Sequence, residues 1–249
     1  MKTMLMILVM FGLALAGMAQ ESVPEEIEEV NVIPAQFTGV KYVENSSVAE
    51  NEVNLLSEYL TRNIIYPSEA KKCNMQGVEI ATFTVDEKGN VGNIEIVNSV
   101  CPEIDEEFIR VLKTTSGKWK PALKNETNDI CYKEVSVAFS LMQANESTEE
   151  YFMEKATNNF TRGSEKLFID HKIKKAEKCF NRGLTYMPYD GSLLYLRGLC
   201  RYERGNIEGA KKDWERYTDI TGDTVAPEEL VLDKKEFKGV EAFANLYNN

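Results

Sequence analysis

The stretch GVEIATFTVDEKGNVGNIEIVNSV, residues 77–100, decides the fold of the first half of this chain. Gly77 to Val85 is rich in β-branched and aromatic residues, and Val91 to Val100 follows as the return strand, with Ile94 and Ile96 on one face. Between them, Asp86 to Asn90 has the composition of a turn, in which Gly89 supplies the positive φ that a tight hairpin requires. The stretch therefore predicts a β-hairpin.

Helical patterns flank this hairpin on both sides. From Asn54 to Ile64 the apolar residues recur at helical spacing, and Tyr66-Pro67 ends the helix because a residue before proline avoids the α region. Pro102 to Lys113 begins with acidic residues, which suit the positive end of a helix dipole, and carries one apolar face. We expect a second helix there.

A last strand follows, because apolar and polar residues alternate. The apolar positions are Val135, Val137, Phe139 and Leu141, and the polar ones are Glu134, Ser136 and Ser140. These elements predict an α+β module with a three-stranded antiparallel sheet and two helices. The third strand must pair with the first if the sheet is antiparallel throughout, which gives the order 2-1-3 and leaves the third strand at an edge.

The second half of the chain repeats itself at a period of about 34 residues. Ala176 corresponds to Ala210 and Phe180 to Trp214, while Arg162-Gly163 corresponds to Arg197-Gly198 if one residue is inserted near Asp170. Residues 151–222 thus resemble two tetratricopeptide repeats, which implies an all-α domain that binds protein through a concave face. The alternative is a helical packing unit without a ligand. We expect a linker at 143–150 and a capping helix and tail at 223–249.

Residues 52–142 resemble the C-terminal domain of TonB-type energy transducers. The resemblance rests on an ordered set of short motifs: Tyr66-Pro67-x-x-Ala70, Gly77, Phe83-x-Val85-Asp86-x-x-Gly89-x-Val91, Pro102-x-Ile104-Asp105 and Trp119-Lys120-Pro121. It implies a periplasmic domain that binds an extended segment of an outer-membrane transporter, added as a strand beside the third strand.

The resemblance also implies which residues contact the partner. They are Tyr66 and Pro67 before the sheet and, on the third strand, Tyr132, Glu134, Val135, Ser136, Val137, Ala138 and Phe139. For Tyr66 and Pro67 the alternative is a helix stop with a packed ring.

The first residues indicate export. Lys2 precedes the apolar run Met4–Ala16, and Gly17-Met18-Ala19 offers a cleavage site, so residues 1–19 are predicted to be a signal peptide. Residues 20–51 are expected to be a partly ordered lead-in. The resulting hypothesis is a periplasmic, non-enzymatic interaction protein with no stable membrane span. The alternative is an inner-membrane anchored energy transducer with an uncleaved first helix, although the chain lacks a long Pro-rich linker.

Export permits disulfides, and the chain has five cysteines. Cys73 and Cys101 flank the open end of the hairpin, so they are predicted to form a bridge. No cysteine pair has zinc-binding spacing, and His171 is the only histidine. The sequence has no nucleophile, metal-protease or phosphate-loop motif, and its net charge of -11 disfavours nucleic acid as a partner. No catalytic residue, metal or cofactor is predicted.

Overall fold

A computed structural model of the chain describes residues 31–39, 52–143, 146–224 and 237–247. The predicted signal peptide, residues 1–19, and much of the predicted lead-in lie outside these residues. Among the helices that are described, none has the length and apolar character needed to cross a bilayer.

The first half is an α+β domain, called here the sheet domain, and its described residues are 31–39 and 52–143. Its elements are β1 (Val32–Ile33), β2 (Gln36–Phe37), α1 (Glu52–Asn63), α2 (Ser68–Lys72), β3 (Gly77–Val85), β4 (Val91–Asn98), α3 (Pro102–Lys113), β5 (Trp119–Lys120), β6 (Ala122–Lys124), β7 (Thr127–Asp129) and β8 (Cys131–Phe139).

The main sheet is antiparallel and runs in the order β4-β3-β8, so the first strand of the hairpin lies in the centre. The register between β3 and β8 is unbroken, from Gly77 opposite Phe139 to Val85 opposite Cys131. In the part of the chain that is described, no strand pairs with the other edge of β8. That edge therefore offers backbone donors and acceptors to an incoming strand.

The core of the sheet domain lies between the sheet and the helices α1 and α3. Leu60, Phe83 and Phe108 are buried in it. Trp119 closes its end, with its ring 5.2 Å from that of Phe37 and 5.5 Å from that of Phe83. Part of the lead-in is thus folded into this core, because β2 pairs with β5 and buries Phe37.

The second half, called here the helical domain, begins at residue 146. It consists of α4 (Thr148–Ser164), a π-helical segment (Glu165–Ile169), α5 (Ile173–Tyr186), α6 (Gly191–Glu203), α7 (Ile207–Thr221) and α8 (Lys238–Tyr247). The first helix begins inside the predicted linker, because Ser147 caps it by accepting a hydrogen bond from the backbone N–H of Glu150.

Two pairs of consecutive helices, α4 with α5 and α6 with α7, pack through glycine–aromatic contacts. A Cβ atom on Gly163 of α4 would lie less than 3.0 Å from the ring of Phe180 on α5, and one on Gly198 of α6 would meet Trp214 on α7 equally closely. Ala176 and Ala210 are fully buried in the same core. The inserted residue near Asp170 coincides with the π-helical segment, which is the usual way to fit an extra residue into a helix.

The predicted bridge between Cys73 and Cys101 does not form in the structure, where both are free thiols. Cys73 ends α2 at the surface, whereas Cys101 is buried at the N-terminus of α3. The pairing of β3 with β4 ends at Ile80 and Asn98, and the two cysteines lie beyond it at the ends of different helices, so the hairpin does not bring them together.

Candidate functional site

A groove of about 430 Å³ lies between β2, α1 and β8. Four consecutive residues of β8, Lys133 to Ser136, border it. Because neighbouring residues of a strand point to opposite faces, a run of four on one border places the edge of the strand along the groove. We call this feature the edge groove.

The floor of the edge groove is apolar and its rim is polar. Phe37, Leu60, Phe83 and Trp119 reach it from the core of the sheet domain, while Gln36, Ser57 and Lys133 add polar groups. An unpaired strand edge beside apolar pockets is the arrangement that captures extended peptides, since the backbone supplies affinity and the pockets select side chains.

The predicted contact residues on β8 have different environments. Val135 and Val137 pack against the core, and Phe139 is buried, so their side chains serve the fold. Tyr132 is 81% exposed and Ala138 is also exposed. A strand added beside β8 would thus meet mainly backbone along this stretch, with Tyr132 as the accessible side chain at one end.

The Glu134 side chain is already engaged within the chain. Its carboxylate accepts hydrogen bonds from Arg216 on α7, at 2.9 and 3.0 Å, and from the hydroxyl of Tyr189, at 2.9 Å. Burial raises the pKa of Glu134, but the hydrogen bonds from Arg216 and Tyr189 outweigh it and hold this pKa below its usual value. Ser136 lies on the same face and contacts the Tyr189 hydroxyl. This face of β8 therefore meets the helical domain.

Tyr66 is a packed residue rather than an exposed one. Its ring lies edge-on to Phe139, with centroids 5.6 Å apart, and its hydroxyl donates to the backbone oxygen of Met75. Burial raises the pKa of Tyr66 to about 12. Pro67 starts α2 and borders an open acidic hollow with Glu103 and Glu107. The contacts of Tyr66 favour the alternative in which the pair ends a helix and packs a ring.

Sequence reasoning missed the residues that form the opposite wall of the edge groove. They are Ala35, Gln36 and Phe37 of the lead-in and Leu56, Ser57 and Leu60 of α1. The sequence held one indication of this wall. Residues 32–37 are mostly apolar within an otherwise acidic lead-in, and Phe37 among them is buried.

Comparison with known proteins places one family on this part of the chain. The model of the family described as Gram-negative bacterial TonB protein C-terminal matches residues 62–141. No curated protein matches the chain. Among solved structures, the chain is similar to the solution structure of the TonB C-terminal domain of Helicobacter pylori, at 16% identity over 36% of this chain and 95% of that one. The TM-score of this match is 0.30. The family match covers the main sheet, and it identifies residues 62–141 as similar to a TonB C-terminal domain.

Proposed function

We propose that this protein is a non-enzymatic interaction module of the bacterial cell envelope, which binds an extended segment of an outer-membrane transporter or another envelope protein by strand addition beside β8. The single observation that carries this proposal is the edge groove, in which an unpaired strand edge borders apolar pockets. The family match at residues 62–141 supports the same class of function.

The helical domain belongs to this proposal as a second interaction unit. Its glycine–aromatic contacts at Gly163 and Gly198 follow the small–large pairing of tetratricopeptide repeats. Arg216 ties it to the binding strand through Glu134. A partner segment beside β8 would thus lie next to a surface of the helical domain, which extends the contact area.

The periplasmic location in this proposal rests on the N-terminal sequence. Residues 1–19 have the order of a cleavable signal peptide. Sequencing the mature N-terminus tests it: a start at Gln20 agrees with export and cleavage. A mature protein that keeps Met1 and sediments with the inner membrane supports the anchored transducer instead.

A photo-cross-linking experiment tests strand addition. A benzophenone amino acid replaces Tyr132, which is 81% exposed at the end of β8, or Ile169, which is 72% exposed on the helical domain, as a matched control. In intact cells of the native bacterium we expect the Tyr132 variant to cross-link an envelope protein, whose attached segment is then sequenced and synthesised.

Hydrogen exchange completes the test. The synthetic segment, added to the full chain, should slow exchange of the backbone amides within Lys133–Ser136 that point away from β3. A segment that binds but leaves these amides unprotected, or cross-links that arise only from Ile169, would exclude strand addition at this edge.

A further inference from the structure

A second cavity, of about 340 Å³, lies where the helical domain meets the sheet domain, and we call it the interdomain cavity. Gln76 and Val100 form its wall on the side of the sheet domain. Lys155 of α4 and Arg182 of α5 form its wall on the helical side. Its volume is within the range of small-molecule sites and is separate from the edge groove.

The two cations of this cavity have no carboxylate partner. Neither Lys155 nor Arg182 forms an ion pair within the described part of the chain, and the Lys155 ammonium group lies 4.9 Å from the centre of the Tyr151 ring. The chain as a whole has a net charge of -11, so carboxylates are abundant. Two unpaired cations that border one cavity in such a protein form a local site for negative charge.

Uncharged donors complete this set. Asn74 lines the cavity, and its side-chain oxygen accepts a hydrogen bond from the amide nitrogen of Gln76 at 3.1 Å, so its own amide nitrogen remains available as a donor. Tyr186 also lines the cavity, and its hydroxyl has no hydrogen-bond partner among the described residues. Ammonium, guanidinium, amide and hydroxyl groups together match the oxygens of a carboxylate or a phosphate.

The walls of the cavity are held at a fixed spacing. A Cβ atom on Gly77 would clash with Thr185, so β3 lies directly on α5 beside the cavity. The buried side chain of Gln76 accepts a hydrogen bond from the backbone N–H of Leu141 at 2.8 Å and lies 3.5 Å from the hydroxyl of Tyr151. The backbone on both sides of the cavity is thus fixed before a ligand arrives, so binding has to order only the side chains of the donors.

We propose that the interdomain cavity binds a small organic anion with a carboxylate or phosphate group, held by Lys155, Arg182 and the amide of Asn74. Val100 and the ring of Tyr186 supply the apolar surface that would contact the rest of the molecule. Because both domains contribute donors, such a ligand stabilises their contact and couples the helical domain to the sheet.

Calorimetric titration of the full chain tests this proposal. The probes are inorganic phosphate and succinate, each at constant ionic strength set with chloride. We expect one of them to bind at millimolar concentration or below, and the one that binds identifies the anionic group. Lys155→Gln and Arg182→Gln should each weaken binding about tenfold or more, because each removes a charged hydrogen-bond donor.

Lys178→Gln is the matched control, since Lys178 is exposed on the same helix as Arg182 but does not line the cavity. It should leave the affinity unchanged, and all three variants should keep the melting temperature of the parent protein without ligand within a few degrees. The proposal is overturned if neither probe binds, or if Lys178→Gln weakens binding as much as Arg182→Gln does.

Discussion

The carboxylate of Glu134 on β8 accepts hydrogen bonds from both terminal nitrogens of Arg216 on α7. The two residues are 82 positions apart in the chain. The guanidinium also stacks on the ring of Tyr189, with its carbon 5.1 Å from the ring centre. Planar, two-point pairing of this kind is among the stronger polar contacts in proteins. The strand that is proposed to receive a partner is therefore fixed to the helical domain by its own side chain.

A double-mutant cycle with Glu134→Gln and Arg216→Gln measures this link. The side chains are 33% and 21% exposed, so we expect a coupling free energy of about 1–2 kcal/mol in urea unfolding. The pair Glu58–Arg62 on α1, whose side chains are 55% and 77% exposed, is the control and should give less than about 0.5 kcal/mol. Equal coupling in the two cycles would show that the interdomain pair is only a surface contact.

The pair of Glu134 and Arg216 should lose its contribution to stability in acid. The pKa of Glu134 is lowered in the folded chain, so the stability it contributes is present above its ordinary pKa of 4.5 and is lost as the pH falls through the lowered value. Unfolding free energies measured below pH 4.5 should converge for the parent protein and Glu134→Gln. A difference that persists unchanged to pH 2 would contradict the assigned charge state.

Gly198→Ala should destabilise the helical domain. The added methyl group would meet the indole of Trp214 at less than 3.0 Å, and overpacking in a closed core costs about 1–3 kcal/mol. Gly92→Ala on β4 is the control, because its Cβ would lie 3.4 Å from the Thr84 hydroxyl, an ordinary contact. Thermal unfolding followed by circular dichroism compares the two; a melting temperature unchanged by Gly198→Ala would refute the close helix contact.

The sequence predicts the elements whose patterns are local. The helix expected at Pro102–Lys113 has those bounds, since a proline at its first turn and one apolar face are sufficient to define it. The strand expected at 134–141 occurs as β8, which begins at Cys131, because alternation marks the faces of a strand better than its ends.

Long-range contacts explain what sequence reasoning missed. β1 and β2 have two residues each, and β2 is a strand because it pairs with β5, far along the chain. No local pattern encodes that pairing. The ion pair of Glu134 depends likewise on a distant residue, Arg216. The alternating pattern of the strand could indicate only that Glu134 faces away from the core.

The cysteines should differ in reactivity. Cys73 is exposed, whereas Cys101 is buried and burial raises the pKa of its thiol. In the native protein we expect a maleimide to modify Cys73 within minutes and Cys101 only after unfolding. Peptide mapping without reductant tests for the contrary outcome. A linked Cys73–Cys101 peptide, together with an unreactive Cys73, would show that the bridge forms after export.

Glu79 should make the sheet domain less stable as the pH rises. Its carboxyl is buried in β3, with one oxygen accepting from the backbone N–H of Val100 at 2.9 Å and the other without a hydrogen-bond partner. Burial raises the pKa of Glu79 to about 8, and the nearby charge of Asp105 adds to the shift. The folded chain thus holds a proton that the unfolded chain releases above its ordinary pKa of 4.5.

Stability should therefore fall as the pH rises from about 4.5 to about 8, at up to about 1.4 kcal/mol per pH unit, and stay level above that. Glu79→Gln keeps the acceptor for Val100 and cannot ionise, so its stability should fall less steeply over this range and exceed that of the parent protein at pH 8. Chemical unfolding at several pH values measures both proteins. Parallel curves would show that Glu79 is not protonated in the fold.

A bulky side chain placed in the edge groove should prevent capture of the partner segment. Ser57 is an exposed residue of α1 that lines the groove, and its neighbour Glu58 is exposed but lies outside it. Ser57→Trp should place an indole over the floor formed by Leu60 and Phe83, where a strand added beside β8 would lay its side chains. Because neither position is buried, both Ser57→Trp and Glu58→Trp should keep the melting temperature within a few degrees. Affinity for the segment captured through Tyr132 should then fall about tenfold or more in Ser57→Trp and remain unchanged in Glu58→Trp. If fluorescence anisotropy gives both variants the affinity of the parent protein, the partner segment does not occupy this groove.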